Sequence, residues 1–379
     1  MNRVYNILVF GLCCLSLTTV SIVHASSSLN ESMSAIGKEM IKLYPDALQR
    51  DKLTATHKQN LEKGTANMLR YFREAGPHLN QKSTTYKLSY SLILDYLEKT
   101  QSAISRQNWE YATNRLASLG EVCTSCHTQD SALRTLFSGA ERQSFPDDLA
   151  YAEFNYFTRN YELAEQYYDA FLKSGNKHSE TALLTSYRRL VTIYAQIYNR
   201  PGEGANRLQA YLKTLKPASD TKDQLVAMIY GLQSLEQNGL SKVNRADFDT
   251  LQKYVNLYLG KLDQPLSDLI LRPEEEVSRV WLRGQLYHFL NDHPDSPELP
   301  KILFWLAVSD RSLDYAYFFS LADMYLMECM LNHQKHPYAK RCYQEYREYL
   351  LFSYTGSGGE FLPDEVEDEL EKLKSSLAK

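Results

Sequence analysis

The stretch Leu116-Ala117-Ser118-Leu119-Gly120-Glu121-Val122-Cys123-Thr124-Ser125-Cys126-His127 sets the reading of this 379-residue chain. It closes an apolar stripe of Trp109, Ala112, Leu116, Leu119, Cys123 and Cys126. That three- and four-residue spacing predicts one amphipathic helix. Asn108 stands where an N-cap belongs, and Glu110 lies in the first turn. Upstream, three more stripes keep the period: Met33, Ile36, Met40, Leu43 and Ala47; Leu61, Thr65, Met68 and Phe72; Tyr86, Tyr90, Ile93, Leu97 and Ile104. Pro45 is expected to bend or end the first helix, and Gly76-Pro77 to stop the second. Residues 28–137 therefore predict an antiparallel four-helix bundle. Glycine (16) and proline (12) are sparse and β-branched runs rare, which extends the all-α class to the whole chain.

Cys123-Thr124-Ser125-Cys126-His127 has the C-x-x-C-H pattern that attaches c-type haem. The two thiols add across the vinyl groups, and the imidazole beside the second thioether binds iron. Cys123 and Cys126 are thus the expected thioether residues, and His127 the proximal ligand, of one covalently held haem c. On a helix Cys123 and His127 share a face, the apolar one. Gly120, one turn earlier, is expected to leave room for a flat macrocycle. A zinc site would need two further ligands, and no second C-x-x-C or H-x-x-H pair exists. A thioredoxin-type pair would need a βαβ setting. A disulfide between residues three apart on a helix is geometrically awkward. His57 and His78 read as helix-end or loop residues rather than ligands.

Four helices with C-x-x-C-H near the end of the fourth resemble the cytochrome c prime family over about residues 28–136. The run Leu116 to His127 is similar to that family's last helix. Met33-Ser34-Ala35-Ile36-Gly37, with Pro45 following, resembles its first. The resemblance implies His127 as the proximal ligand and a distal face closed by the first helix. It makes Met33 the candidate sixth ligand, because the family carries a methionine or a bulky apolar residue there. The apolar version leaves the iron five-coordinate. Periodicity alone reads Met33 as core filler, and Met40, two turns on, is its rival. The family often has an arginine near the start of this helix, where the present chain has Ser28-Leu29-Asn30-Glu31. The resemblance also suggests a homodimer through the bundle.

Arg3 is the only charge in the first 25 residues, Ile7 to Val23 is apolar, and Val23-His24-Ala25 resembles a small-residue cleavage site. Residues 1–25 are read as a signal peptide rather than a membrane anchor. Phe10-Gly11-Leu12 ahead of Cys13 and Cys14 lacks the small residue of a lipidation site. No later stretch is uncharged over the ~18–20 residues that a bilayer requires. The richest, Ile302 to Leu331, is broken by Asp310, Arg311, Asp314 and Asp323. The expected location is a bacterial periplasm, with no membrane span once the signal is removed. Cys123, Cys126, Cys329 and Cys342 then remain. Asn332-His333-Gln334-Lys335-His336-Pro337 reads as a turn midway between the last two, so an antiparallel hairpin predicts a Cys329–Cys342 disulfide. A two-Cys, two-His metal site with His333 and His336 would need the cysteines nearer the turn.

Ser138 to Pro146 is polar and turn-rich, an expected boundary. Beyond it helical periods recur in pairs, near 147–174, 179–215, 221–260, 274–309 and 313–353. Tyr151, Ala152, Tyr156, Tyr161, Ala164, Tyr168 and Phe171 fit the small/aromatic pattern of a tetratricopeptide repeat, and Ala322, Tyr325, Ala339, Tyr343 and Tyr346 repeat it. Residues 147–353 thus predict an αα-hairpin array resembling tetratricopeptide repeats, in which aromatics fill between pairs and absorb most of the 28 tyrosines. Residues 354–379 form a charged tail, read as a short exposed helix or a frayed end.

Lys+Arg 42 against Asp+Glu 46, with no basic stretch, argues against a nucleic-acid partner. No serine, cysteine or carboxylate constellation suits hydrolysis, and Tyr354 to Gly359 lacks the Lys-Ser/Thr of a phosphate loop. The chain therefore reads as an electron carrier rather than an enzyme. The expected protein is an exported monohaem c-type cytochrome that exchanges single electrons with redox partner proteins, its repeat region docking a protein or peptide. Two rivals stand beside this reading: a sensor or scavenger of nitric oxide or carbon monoxide on five-coordinate iron, and a cell-envelope scaffold.

Overall fold

The computed structural model describes residues 29–49, 53–79, 84–126, 137, 139–174, 178–215, 217–243, 245–260, 271–313, 317, 320–354, 359 and 361–377. The proposed signal peptide, His127 and the residues up to 136 lie outside them. Among the described residues the regular structure is all helical. It begins with α1 (Leu29–Ala47), α2 (Ala55–Leu79), α3 (Thr84–Ser105) and α4 (Trp109–Cys126). Then come α5 (Asp148–Phe157), α6 (Tyr161–Lys173), α7 (Glu180–Val191), α8 (Pro201–Leu215) and α9 (Ser219–Gln237). The chain ends with α10 (Phe248–Tyr258), α11 (Pro273–Asp292), α12 (Leu299–Arg311), α13 (Ala322–Asn332), α14 (Pro337–Tyr354) and α15 (Asp364–Leu377). A π-helical segment, Thr192–Ile197, continues α7. None of the described helices is long and apolar enough to cross a membrane.

Helix starts follow local chemistry. The Asp147, Ser179 and Asp247 side chains accept the N–H groups of Ala150, Ala182 and Thr250 at 2.8, 3.2 and 2.8 Å, satisfying orphan donors. Asn108 does the same for Tyr111 at 3.3 Å. Pro201, Pro273 and Pro337 open α8, α11 and α14, where a missing N–H costs nothing. Gly76-Pro77 does not stop α2, which runs to Leu79. A proline in a last turn removes a single hydrogen bond, and Tyr90 of α3 packs over Gly76 to hold that turn.

Each of α1 to α4 packs on the next, and α4 returns to α1. The short links make neighbours antiparallel. The link to α5 is polar in composition yet well packed. Phe145 is buried, the Tyr151 hydroxyl donates to the Ala140 carbonyl, and Arg142 pairs with Asp148. Tyr44 of α1 meets Phe154 of α5 edge-on at 5.1 Å, so one apolar core runs through both parts of the chain.

Beyond α6 the helices do not stack as five successive hairpins. The expected pair over 221–260 is not packed as one. α9 lies against α8 and α11, while α10 lies against α11. Gly231 explains the switch: a Cβ there would stand 2.8 Å from Val277 and 3.0 Å from the Glu274 carbonyl, so only glycine lets the first turn of α11 approach α9. Near the end, Ala339 is buried as the repeat pattern expects. The positions burying α14 are Cys342 and Tyr346, while Tyr343 is only partly covered. Cys329 and Cys342 are joined in a disulfide across α13 and α14, their Cα atoms 6.3 Å apart. The charged tail is not free, because Leu370 and Leu373 of α15 are buried and α15 packs on α14.

Buried ion pairs tie this part together. Arg189 of α7 grips Glu153 of α5 through Nε and Nη2, each 3.2 Å from a carboxylate oxygen. Tyr168 of α6 donates to the same carboxylate at 2.5 Å. The Tyr317 carbonyl, in the α12–α13 loop, accepts from Arg189 at 2.7 Å and from Tyr156 at 2.5 Å. Arg283 of α11 pairs with Asp310 of α12 at 2.6 Å, and the second Asp310 oxygen takes the Leu321 N–H. Arg311 of α12 pairs with Glu345 of α14.

Two expectations follow. Glu153→Gln removes the carboxylate charge that Arg189 grips in the core and should lower stability by about 3–5 kcal/mol in urea denaturation; adding Arg189→Met should recover part of that loss. Asp323 sits where α13 meets α3. Burial pushes its carboxyl from 3.8 up to about 6, against the pull of Arg311 and Lys99. Between those values the folded chain holds a proton that the unfolded chain has released, so stability falls as pH rises through the window and levels off above it. Asp323→Asn should therefore melt higher than the parent by a margin that grows from pH ~4 to ~6 and is constant above.

Candidate cofactor site at the end of the fourth helix

The stripe that α4 buries is Ala112, Leu116, Leu119 and Val122. Its other flank is pinned to α3 by Arg115, whose guanidinium lies 3.6 Å from the centre of the Tyr96 ring. Arg115 also donates to the Tyr96 carbonyl at 2.8 Å and the Thr100 hydroxyl at 3.0 Å. With the helix held this way, Cys123 and Cys126 both fall in its last turn, three residues apart on one backbone. His127 lies outside the described residues, as do the side chains of the two cysteines.

α1 forms the facing wall. Ile36, Gly37, Met40, Leu43 and Tyr44 are buried, and Met33 is partly buried against the same core. The Tyr44 hydroxyl reaches α4, where the Gly120 N–H donates to it at 2.6 Å. Because α1 and α4 run in opposite directions, the Met33 to Met40 stretch runs from this contact toward the cysteine-bearing end of α4. Both methionines thus share the end of the helix group with the motif. Met40 is the more deeply buried.

The expected role of Gly120 does not survive. A Cβ at Gly120 would meet the Tyr44 hydroxyl at 2.5 Å, the Phe157 carbonyl at 2.9 Å and the Phe157 Cβ at 3.0 Å. The space left by the missing side chain is therefore occupied by α1 and α5. Any flat group held at Cys123 and Cys126 would have to lie beyond Gly120, toward the C-terminal end of α4. Tyr44 and Phe157 escaped the sequence reading, because the helical period marks them only as apolar positions and not as the pair that closes on one glycine.

The residues suit a thioether-held cofactor: two cysteines in the last turn of α4, with an apolar wall supplied by α1. Of the other histidines, His57 is engaged in a local cap. Its Nδ1 accepts the Thr54 N–H, and its own N–H donates to the Thr54 hydroxyl. His78 lies in the last turn of α2. The disulfide engages both sulfurs near His333 and His336. Among the described residues no group of three or more His, Cys, Asp and Glu side chains is arranged to hold a metal ion. No protein family, no curated protein and no solved structure matches the chain.

Gly120→Ala should force Tyr44 and Phe157 apart and lower stability by about 1–3 kcal/mol. Adding Tyr44→Phe should restore only part, since the Phe157 carbonyl still blocks the new methyl. Thermal melts of the parent, the single and the double variant check this.

Proposed function

We propose that the protein is an exported monohaem c-type cytochrome of the bacterial periplasm. In this reading α1 to α4 are the haem-bearing bundle, and the helices from α5 to α14 are a divergent helical-repeat module that docks a protein or peptide partner. The observation that carries the reading is C-x-x-C-H with both cysteines in the last turn of a helix faced by an apolar wall. Cys123 and Cys126 would hold the cofactor as thioethers, and His127 would hold its iron. Bound there, the haem supplies one-electron exchange between Fe(II) and Fe(III). The chain's own residues would fix the group, Ile36, Met40 and Leu43 would exclude water, and a methionine of α1 would help to set the potential. Met33 is the ligand that the family resemblance favours, and Met40 the one that burial favours. A methionine in that place raises the potential and suits electron transfer.

The full chain, secreted from cells competent in cytochrome c maturation, should be coloured and heavier by one haem. Cys123→Ser with Cys126→Ser should remove both colour and added mass. The ferric protein should show a sulfur-to-iron charge-transfer band, lost in whichever of Met33→Leu and Met40→Leu removes the ligand. A high-spin spectrum with rapid carbon monoxide binding would instead favour the gas-binding reading. Colourless protein of unmodified mass would overturn the proposal.

A further inference from the structure

Away from α4, a cleft of about 180 Å³ opens between the α5–α6 turn, the π-helical segment and α11. A cavity of about 150 Å³ admits a benzene-sized molecule, so this one suits a ligand of a few carbons. Its polar lining includes Arg159, Thr192, Gln196, Arg283, His288 and Asn291, and among the described residues no aspartate or glutamate lines it. The Arg283 charge is balanced behind the wall by Asp310, and Arg283 Nη1 donates to the Gln196 side-chain oxygen at 3.2 Å. Burial and the Arg245 charge push the His288 pKa down. Arg159 is different. It lines the cleft from the turn after α5, and its guanidinium makes no hydrogen bond and no ion pair among the described residues. Its field falls on Tyr287 across the cleft.

Two backbone features build this place. Arg159 has φ +61°, a left-handed conformation in which glycine is the cheap residue. The opposite wall is π-helical, with the Tyr198 N–H reaching back five residues to the Ile193 carbonyl at 2.8 Å. Such insertions recur at functional sites because they re-aim side chains within a helix. Here Thr192 and Gln196 face the cleft. A strained arginine, an irregular wall and a described lining without acid all meet in one small space.

We propose that this cleft binds a small oxyanion, a carboxylate or phosphate carried by a molecule of a few carbons. Arg159 pairs with its charge, the Gln196–Arg283 wall forms the floor, and Tyr161 and Tyr287 lie against its apolar body. The site is independent of the haem reading.

The test uses the full chain in a buffer free of phosphate and carboxylates. Inorganic phosphate, succinate and uncharged succinamide are compared by thermal melt and isothermal titration calorimetry. At ten times its Kd a specific anion should raise the melting temperature of the parent by about 2–4 °C. Phosphate acting alone identifies a phosphate-bearing ligand, and succinate acting alone a carboxylate. Arg159→Gly removes the charge and relieves the backbone, so it should melt no lower than the parent without ligand. It should also lose the anion-dependent rise, its Kd increasing at least tenfold. Arg159→Lys should keep part of the affinity. The proposal is overturned if neither anion binds the parent, if Arg159→Gly binds as the parent does, or if succinamide raises the melting temperature as succinate does.

Discussion

Glu153 and Arg189 meet in a two-point contact inside the core, where neither charge has water to fall back on. Such a pair contributes little net stability compared with an apolar pair of the same size, but it is costly to break. That asymmetry makes it a constraint on architecture. α5 and α7 must lie where the carboxylate and the guanidinium align, and α6 must present Tyr168 to the same oxygen. The Tyr317 carbonyl then brings the α12–α13 loop, 128 residues later in the chain, onto the same guanidinium. Asp310 fastens the loop from its other end through the Leu321 N–H while paired with Arg283. Tyr317 and Leu321, between α12 and α13, are thus each tied to a buried ion pair.

The tyrosines show how this order is reached. In the repeat reading they are filler between helix pairs. In the structure many of them end on carboxylates: Tyr194 on Glu165, Tyr211 on Asp169, Tyr317 on Glu276, and Tyr168 on Glu153. Burial and the neighbouring negative charge keep these phenols protonated, with pKa values above the ordinary range. A buried carboxylate needs donors, and a phenol supplies one on an apolar body. At these positions tyrosine does two jobs that phenylalanine would divide.

The helix carrying the C-x-x-C-H cysteines is not isolated from this assembly. Phe157 of α5 closes on Gly120 of α4 together with Tyr44 of α1, and Arg159, two residues on, lines the cleft. Phe157 itself lines that cleft. Phe154, one turn earlier, gathers Tyr44, Phe137 and Phe145 around it. The polar link after residue 137 therefore marks a change of helix grouping and not a gap in the core.

Local patterns reveal what depends on neighbours in sequence. The helices follow from apolar period, from Asp, Ser and Asn caps, and from prolines at first turns. The Cys329–Cys342 pairing follows from a turn midway between the two residues. The C-x-x-C-H motif is read in five consecutive letters. Other features are invisible there because they join residues far apart. Gly231 replaces a hairpin partner with α11, since close approach of two backbones depends on what the second helix presents. Gly120 turns out to be a contact between three helices, since an absent side chain says nothing of what fills its place. The oxyanion cleft draws on a turn, a π-helical segment and a later helix, and none of these carries a motif. Contacts of that kind are set by how helices cross, and crossing is settled by the packing of the whole core.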